Sequence, residues 1–290
     1  MNKIIDRLLH IHYCCYGNCR IVTNIFQQDP TLTEVYKMDE WDLIKKCHFP
    51  QKQAIQFIRL LKEVNCEKLK IEYNNKGINY ISIFDADYPP LLKTIYDPPL
   101  IIYYQGNKQL FSLPHHLSVV GTRHPSHYIK DELEKVLQPV LERNIVIVSG
   151  MALGVDKMAH ETTILYNGHT IGVLAYGLDH IYPLSNKDLF QSMKKDHLLM
   201  SEYPPYVRPQ KWQFPERNRL ISGLSRGTLV VEAKERSGSL ITSDLALQQG
   251  RDVYAFPGRI FSEESIGTNK LIQEGAKMIL HGNDILEEYF

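Results

Sequence analysis

Ile145-Val-Ile-Val-Ser-Gly-Met-Ala-Leu-Gly154 decides how the chain is read. Its first four residues are β-branched and apolar, which suits a strand buried on both faces. Gly150 and Gly154 then let backbone N–H groups approach an anion where a helix begins. Val155-Asp156 opens a helical stretch that runs to about residue 166. The unit is therefore strand, glycine loop, helix.

Working outward, the same kind of run recurs. Leu100–Tyr104, Leu117–Val120, Thr170–Leu174, Thr228–Val231 and Val253–Phe256 are short apolar segments. Helical patterns at about 128–143, 155–166, 186–195 and 239–250 lie between most of them. Apolar strands alternating with helices predict an α/β fold, an extended Rossmann-like, doubly wound, mostly parallel sheet. Ligands of such sheets bind beyond the carboxyl ends of the strands, so the loops that follow the strands are the candidate site.

Those loops are rich in glycine, serine and donors. After Leu117–Val120 comes Gly121-Thr-Arg-His-Pro-Ser126. Gly121 permits a tight turn, Thr122 and Ser126 can bind phosphate or cap the next helix, and the Arg123 fork suits phosphate or plain solvent. Ser149–Gly154 is not G-x-G-x-x-G, so the dinucleotide fingerprint is absent. Asp156 reads as a helix cap more readily than as a ribose contact, and His160 as packing along its helix. Gly177 opens the backbone after Thr170–Leu174, with Tyr182-Pro183 and Lys187 beyond it. Ser237-Gly-Ser239 starts another helix and is a further anion cradle. Pro257-Gly-Arg259 closes the set, and Glu232 is placed to hold Arg217 or Arg219.

Trp212-Gln-Phe-Pro-Glu-Arg-Asn-Arg219 stands between two apolar runs. From Arg208 to Arg219 there are four basic residues and one acid, Glu216. Aromatics interleaved with cations suit single-stranded nucleic acid, whose phosphates need neutralising and whose bases stack. The same pattern also describes an amphipathic helix with solvated arginines, and Trp212 is then a core candidate.

Residues 1–76 carry helical spacing only. Ile4, Ile5, Leu8, Leu9 and His12 share a face, Asp29-Pro30 breaks the next segment, Asp39 can cap a short helix, and Pro50 precedes Ile55, Ile58, Leu61 and Val64. A small all-helical domain over 1–76 followed by a Rossmann-like domain over 77–290 is expected. Between them Tyr80–Phe84 is strand-like. The prolines from Pro89 to Pro99 predict an extended connection rather than a helix.

Composition narrows the function. The formal net charge is zero, so any nucleic-acid site is a local patch rather than a global field. All five cysteines fall between Cys14 and Cys66, an odd count that excludes a secreted disulfide framework. There is no signal-like N-terminus and no run of 18 apolar residues, so a soluble cytoplasmic protein with no membrane partner is expected. Gly223-Leu-Ser-Arg-Gly227 matches G-x-S-x-G but has a helix before it and a strand after it, the reverse of a nucleophile elbow. No P-loop occurs, His160-Glu161 lacks a second histidine, and Cys14, Cys15 and Cys19 with His10 and His12 lack paired C-x-x-C spacing. Neither a metal nor a cofactor is expected.

Several blocks occur together and in order: Gly121-Thr-Arg123, Ser149–Asp156 with His160, Gly177-Leu-Asp179 with Tyr182-Pro183 and Asn186, Ser201-Glu-Tyr-Pro204, Phe214–Arg219, Val231-Glu-Ala233, Ser237–Thr242, Gly250–Val253 and Pro257-Gly258. Over about residues 80–280 they closely resemble the DNA-processing protein A family (DprA, also called Smf). The N-terminal helices resemble the sterile-alpha-motif-like module that often precedes that domain. The resemblance implies a single-stranded DNA-binding protein of natural transformation that protects incoming DNA, dimerises, loads the RecA recombinase and is not an enzyme. It places Arg123, Lys211 and Phe214 in the DNA pocket, with Gly121, Thr122, Asn218, Arg219, Ser237 and Gly238 beside them. Leu153 stands where the family commonly has arginine, which removes one phosphate contact. The winged-helix-like module of longer members is expected to be missing after Phe290. The alternative is a nucleotide-binding protein or nucleotide N-glycosidic hydrolase of a related Rossmann-like fold, although Arg259 interrupts the loop that such hydrolases use.

Overall fold

The computed structural model describes residues 3–290. Five helices come first: α1 (Lys3–Cys14), α2 (Cys19–Gln28), α3 (Glu40–Cys47), α4 (Gln51–Glu63) and α5 (Cys66–Asn75). Asn18, Asp39 and Asn65 each accept a bond from a backbone N–H in the first turn of the helix they precede, which satisfies donors a helix leaves orphaned. Apolar residues at helical spacing, among them Leu8, Leu9, Ile25 and Leu43, are fully buried. Each such side chain contributes about 1.5–3 kcal/mol by leaving water.

The remainder builds one sheet. β1 (Asn79–Ser82), α6 (Pro90–Lys93) and β2 (Ile101–Gly106) lead into β3 (His116–Val120), α7 (Ile129–Glu142), β4 (Val146–Ser149), α8 (Val155–Leu165), β5 (Thr170–Leu174), α9 (Lys187–Asp196) and β6 (Leu198–Ser201). There follow α10 (Gln213–Leu224), β7 (Gly227–Val230), α11 (Gly238–Gln248), β8 (Asp252–Ala255), α12 (Ile266–Gln273), β9 (Lys277–Met278) and α13 (Gly282–Leu286). The strand order is β1-β2-β6-β5-β4-β3-β7-β8-β9. All pairs from β6 to β9 are parallel, while β2 pairs antiparallel with both β1 and β6.

Side-chain alternation explains the two covered faces. Ile147 packs with α7 and α8, whereas its neighbours Val146 and Val148 join the core beneath α10, α11 and α12. At the β2 end, Ile101 and Tyr103 continue the core of the N-terminal helices, which also takes in Met151, Tyr176 and Phe190. The helices and that part of the sheet thus share one apolar cluster.

Some expectations change. β6 and β9 are strands that the sequence reading passed over. Leu198-Leu-Met-Ser201 follows α9 after the single residue His197, beyond the helical pattern read at about 186–195. The proline-rich connection contains a one-turn helix, α6, with Pro90 at its first position, where a missing N–H costs nothing. Trp41 is exposed on α3.

The topology has a switch point. From β3 the chain moves outward through β4, β5 and β6, then returns through α10 to place β7 on the other side of β3. The loops after β3 and β7 therefore diverge to opposite faces and leave a crevice at their carboxyl ends.

Candidate nucleic-acid interface

The floor of the crevice is made by main-chain bonds between strand-end loops. Thr122 N–H donates to Glu232 O at 2.8 Å, and Val155 N–H donates to Thr122 O at 3.1 Å. Ser126 N–H donates to a Glu232 carboxylate oxygen at 2.9 Å. The loops after β3, β4 and β7 are thus one unit. Gly154 has φ +75°, and a Cβ there would run into Thr122 O, so only glycine permits this junction. Thr122 offers its hydroxyl but not its backbone N–H to a ligand.

Arg217 fastens α10 over this floor. Its guanidinium is buried, and Nη1 donates to Gly150 O at 2.5 Å and to Val173 O. A Cβ on Gly150 would lie 2.5 Å from that nitrogen. Burial lowers the Arg217 pKa, opposed by the charge of Asp156. Burial raises the Asp156 pKa, opposed by Arg217. Asp156 also accepts from Ala152 N–H at 3.3 Å, so it braces the loop after β4. Glu232, expected to hold Arg217 or Arg219, instead serves the β3 loop.

With the helix fixed, its first turn brings Phe214 to Arg123. The Arg123 guanidinium carbon lies 6.0 Å from the Phe214 ring centroid, at the limit of cation–π attraction. On the other side Tyr182 packs at 5.6 Å between ring centroids. Tyr182 is held by its backbone: its N–H donates to Tyr176 Oη at 3.0 Å, and Tyr176 O–H donates to its carbonyl at 2.6 Å. Its ring remains exposed. The crevice therefore presents a cation and two aromatic rings in a row. From sequence Tyr182 belongs to a strand-end loop but is not among the candidate DNA contacts. An aromatic in the loop directly after β5 was the available signal.

The far wall is α11. Asn218 accepts from Arg217 Nε at 3.3 Å and donates to Gly238 O at 3.3 Å, tying α10 to the start of α11. Ser237 and Ser239 hydroxyls are 2.7 Å apart, and Gly238 is exposed with open space around it. Lys211 is exposed one turn before Phe214, and Gly121 sits under the β3 loop. The structure thus brings Gly121, Thr122, Arg123, Phe214, Asn218, Ser237 and Gly238 to one crevice, while Lys211 is exposed in the segment just before α10.

Arg219 is the correction. It lies on the opposite side of α10, where Nη2 meets Glu202 at 2.5 Å and Nε is 3.8 Å from Asp97. A buried carboxylate takes the charge that the sequence reading had offered to phosphate, because two residues further along a helix is a turn of about 200°. Arg219 instead lines a cleft of about 860 Å³ between α2 and α10. Trp212, a core candidate from sequence, is 54% exposed and meets Tyr203 edge-on at 6.2 Å.

The Pro257-Gly258 loop is closed on itself: Gly258 N–H donates to Asn269 and Gly258 O accepts from it, both at 3.0 Å. Its backbone is not open to a nucleotide phosphate. Among the described residues no cluster of three His, Cys, Asp or Glu could hold a metal, and no helix is long and apolar enough to cross a membrane.

A doubly wound sheet with a cationic, aromatic crevice at its switch point defines a Rossmann-like protein. Residues 79–290 match the family described as DNA recombination-mediator protein A, and the chain belongs to that family. It is 49% identical to the DNA processing protein DprA of Bacillus subtilis over 216 residues, 74% of this chain and 73% of the relative. It is 48% identical to the Streptococcus pneumoniae protein of that name over 208 residues, 72% of this chain and 73% of the relative. The X-ray structure of DNA processing protein A from Streptococcus pneumoniae aligns with TM-score 0.80 at 38% identity, covering 99% of this chain and 98% of that one. A Helicobacter pylori DNA processing protein A, described for its single-stranded DNA binding mode, aligns with TM-score 0.66 at 30% identity, covering 73% and 95%.

Proposed function

We propose that the chain binds single-stranded DNA in the crevice between Arg123, Phe214 and Tyr182, protects incoming DNA during natural transformation and loads the RecA recombinase. It works in the cytoplasm as a homodimer and turns over no substrate. The observation that carries the reading is the Arg123–Phe214–Tyr182 row at the switch point. Arg123 and Lys211 neutralise phosphates, Phe214 and Tyr182 offer faces for two successive bases, and the exposed start of α11 at Gly238 adds backbone donors. The Helicobacter pylori relative, similar over most of its length, binds single-stranded DNA. That likeness supports the same ligand here.

The test is fluorescence anisotropy with a labelled oligo-dT. Phe214→Ala weakens binding by about 1–3 kcal/mol, the value of one base–aromatic stack. Tyr182→Ala has an effect of the same kind, and Arg123→Ala weakens binding across sequences. Unchanged affinity in both Arg123→Ala and Phe214→Ala would sink the site. RecA loading is checked separately, by strand exchange on DNA coated with a single-strand-binding protein, with and without this chain.

A further inference from the structure

One of the contacts between the N-terminal helices and the crevice runs through the segment before α10. The segment from Glu202 to Trp212 joins β6 to α10 and carries Lys211. It contains Pro204, Pro205 and Pro209, and it turns on itself where Val207 N–H donates to Pro204 O at 2.9 Å and Gln210 N–H donates to Gln213 Oε1 at 2.6 Å. One side is tied to the loop after β5: Gly177 N–H donates to Val207 O at 2.8 Å, Asp179 N–H to Pro205 O at 3.0 Å, and His180 Nε2 pairs with Tyr206 O at 2.9 Å. The other side meets the N-terminal helices at several points: Tyr203 and Pro204 close on Gly17, Trp212 shares a pocket with Cys14, Cys15 and Tyr16, and Tyr206 reaches the end of α1 with a hydrogen bond. Tyr206 O–H donates to Tyr13 O at 2.6 Å. The Tyr206 ring packs on Tyr13 at 4.7 Å and meets Tyr16 edge-on at 5.7 Å. After Val207 the chain runs exposed at Arg208, Gln210 and Lys211 until α10 begins.

We propose that Tyr206 is a positioning residue through which the N-terminal helices hold the Lys211 segment in its DNA-binding geometry. The inference rests on the single-stranded DNA reading above and gives the helical unit a part in it. Tyr206 touches no DNA. It fixes the segment's entry point, so Lys211 reaches the phosphates next to Phe214 without an ordering cost at each encounter. Burial raises the Tyr206 pKa far above the ordinary phenol value. The hydroxyl is therefore a donor at every working pH, and the tie is mechanical rather than a pH switch.

Full-length Tyr206→Phe, which keeps the ring and loses the donor, is compared with wild type in anisotropy with oligo-dT. The expected loss is about fivefold, the value of one net hydrogen bond. The double-mutant cycle separates positioning from general damage. In a Lys211→Ala background Tyr206→Phe costs nothing further, whereas in an Arg123→Ala background it keeps its full effect. Hydrogen exchange in Tyr206→Phe speeds up across residues 207–212 and not in the sheet. Equal, additive losses in both backgrounds, or no loss in either, overturn the proposal, as does unchanged exchange at 207–212. If Arg123→Ala and Lys211→Ala alone leave binding unchanged, the DNA site itself is wrong, a separate failure that the same set of variants exposes.

Discussion

The two faces of α10 use the same residue type for different ends. On the crevice side Arg217 is buried under main-chain carbonyls, while Arg123 lies exposed across Phe214. On the side facing the N-terminal helices Arg219 meets the buried Glu202. Three arginines stand within reach of one helix, and only one is presented to solvent at the crevice. What separates them is the partner available. A guanidinium with five donors satisfies carbonyls or a carboxylate when it is buried, and phosphate when it is not. Charge density in a sequence therefore overstates a nucleic-acid surface wherever buried acids and strand-end carbonyls wait for the cations.

The sharpest way to break this comparison is Arg217→Met. It strands the carbonyls of Gly150 and Val173 and leaves Asp156 buried without its counter-charge. A loss of about 3–5 kcal/mol in urea unfolding is expected. Arg217→Lys does not restore it, because one ammonium cannot reproduce the fork. If the loss is under about 1 kcal/mol, Arg217 is not the clamp described.

Arg219→Met comes next, at about 2–3 kcal/mol, because it leaves Glu202 buried and unpaired. Its pH dependence gives the sign. Burial already raises the Glu202 pKa above its ordinary 4.5, with Arg219 opposing. Removing Arg219 raises it further, so the folded state holds the proton over a wider range than the unfolded chain. The instability is then greatest at neutral pH and recedes as pH falls toward 4.5. The double variant Glu202→Leu with Arg219→Met recovers most of the loss. A flat pH profile for Arg219→Met would contradict this account.

Each side also has a fully buried histidine, held neutral chiefly by burial. His160 bonds Thr170 at 2.6 Å, His12 bonds Tyr103 at 3.1 Å, and the pKa of each is lowered to about 3. A depressed histidine takes up its proton only on unfolding. Its contribution is whole above about 6.5 and falls away as pH drops toward the folded value. At pH 5 each should have lost about 2 kcal/mol. His160→Gln and His12→Gln should each flatten the acid limb of a stability–pH curve, and a limb unchanged by either would show that the ring is not held neutral.

The legible and illegible parts follow the same line. Ile145–Gly154 was legible because four β-branched residues and two glycines permit little else. The crevice residues were legible as positions at strand ends, since topology alone puts those loops together. Glu202 was not legible as the partner of Arg219, because 17 residues and a strand-to-helix turn separate them. Nor was the bond from Arg217 to Gly150, 67 residues away, which exists only once β4 and α10 are stacked. β6 was hidden by its place directly behind a helical stretch, with only His197 between them, and Tyr182 by lying eight residues beyond the end of β5. Contacts made by tertiary packing between distant polar groups leave no local periodicity to read.

The smallest effect is the most selective. Affinity for a single strand falls with salt at a slope of about 0.7 per neutralised phosphate. Lys211 is exposed just before α10, and if it neutralises one phosphate as proposed, Lys211→Ala flattens the log–log slope by about 0.7 at little cost in stability. Arg219→Met removes a charge that faces Glu202 rather than phosphate and should leave the slope unchanged, although it disturbs the fold more. The two substitutions thus move in opposite directions on two axes, stability and salt dependence. A slope that responds to Arg219 and not to Lys211 would reverse the assignment of α10's two faces and return Arg219 to the DNA.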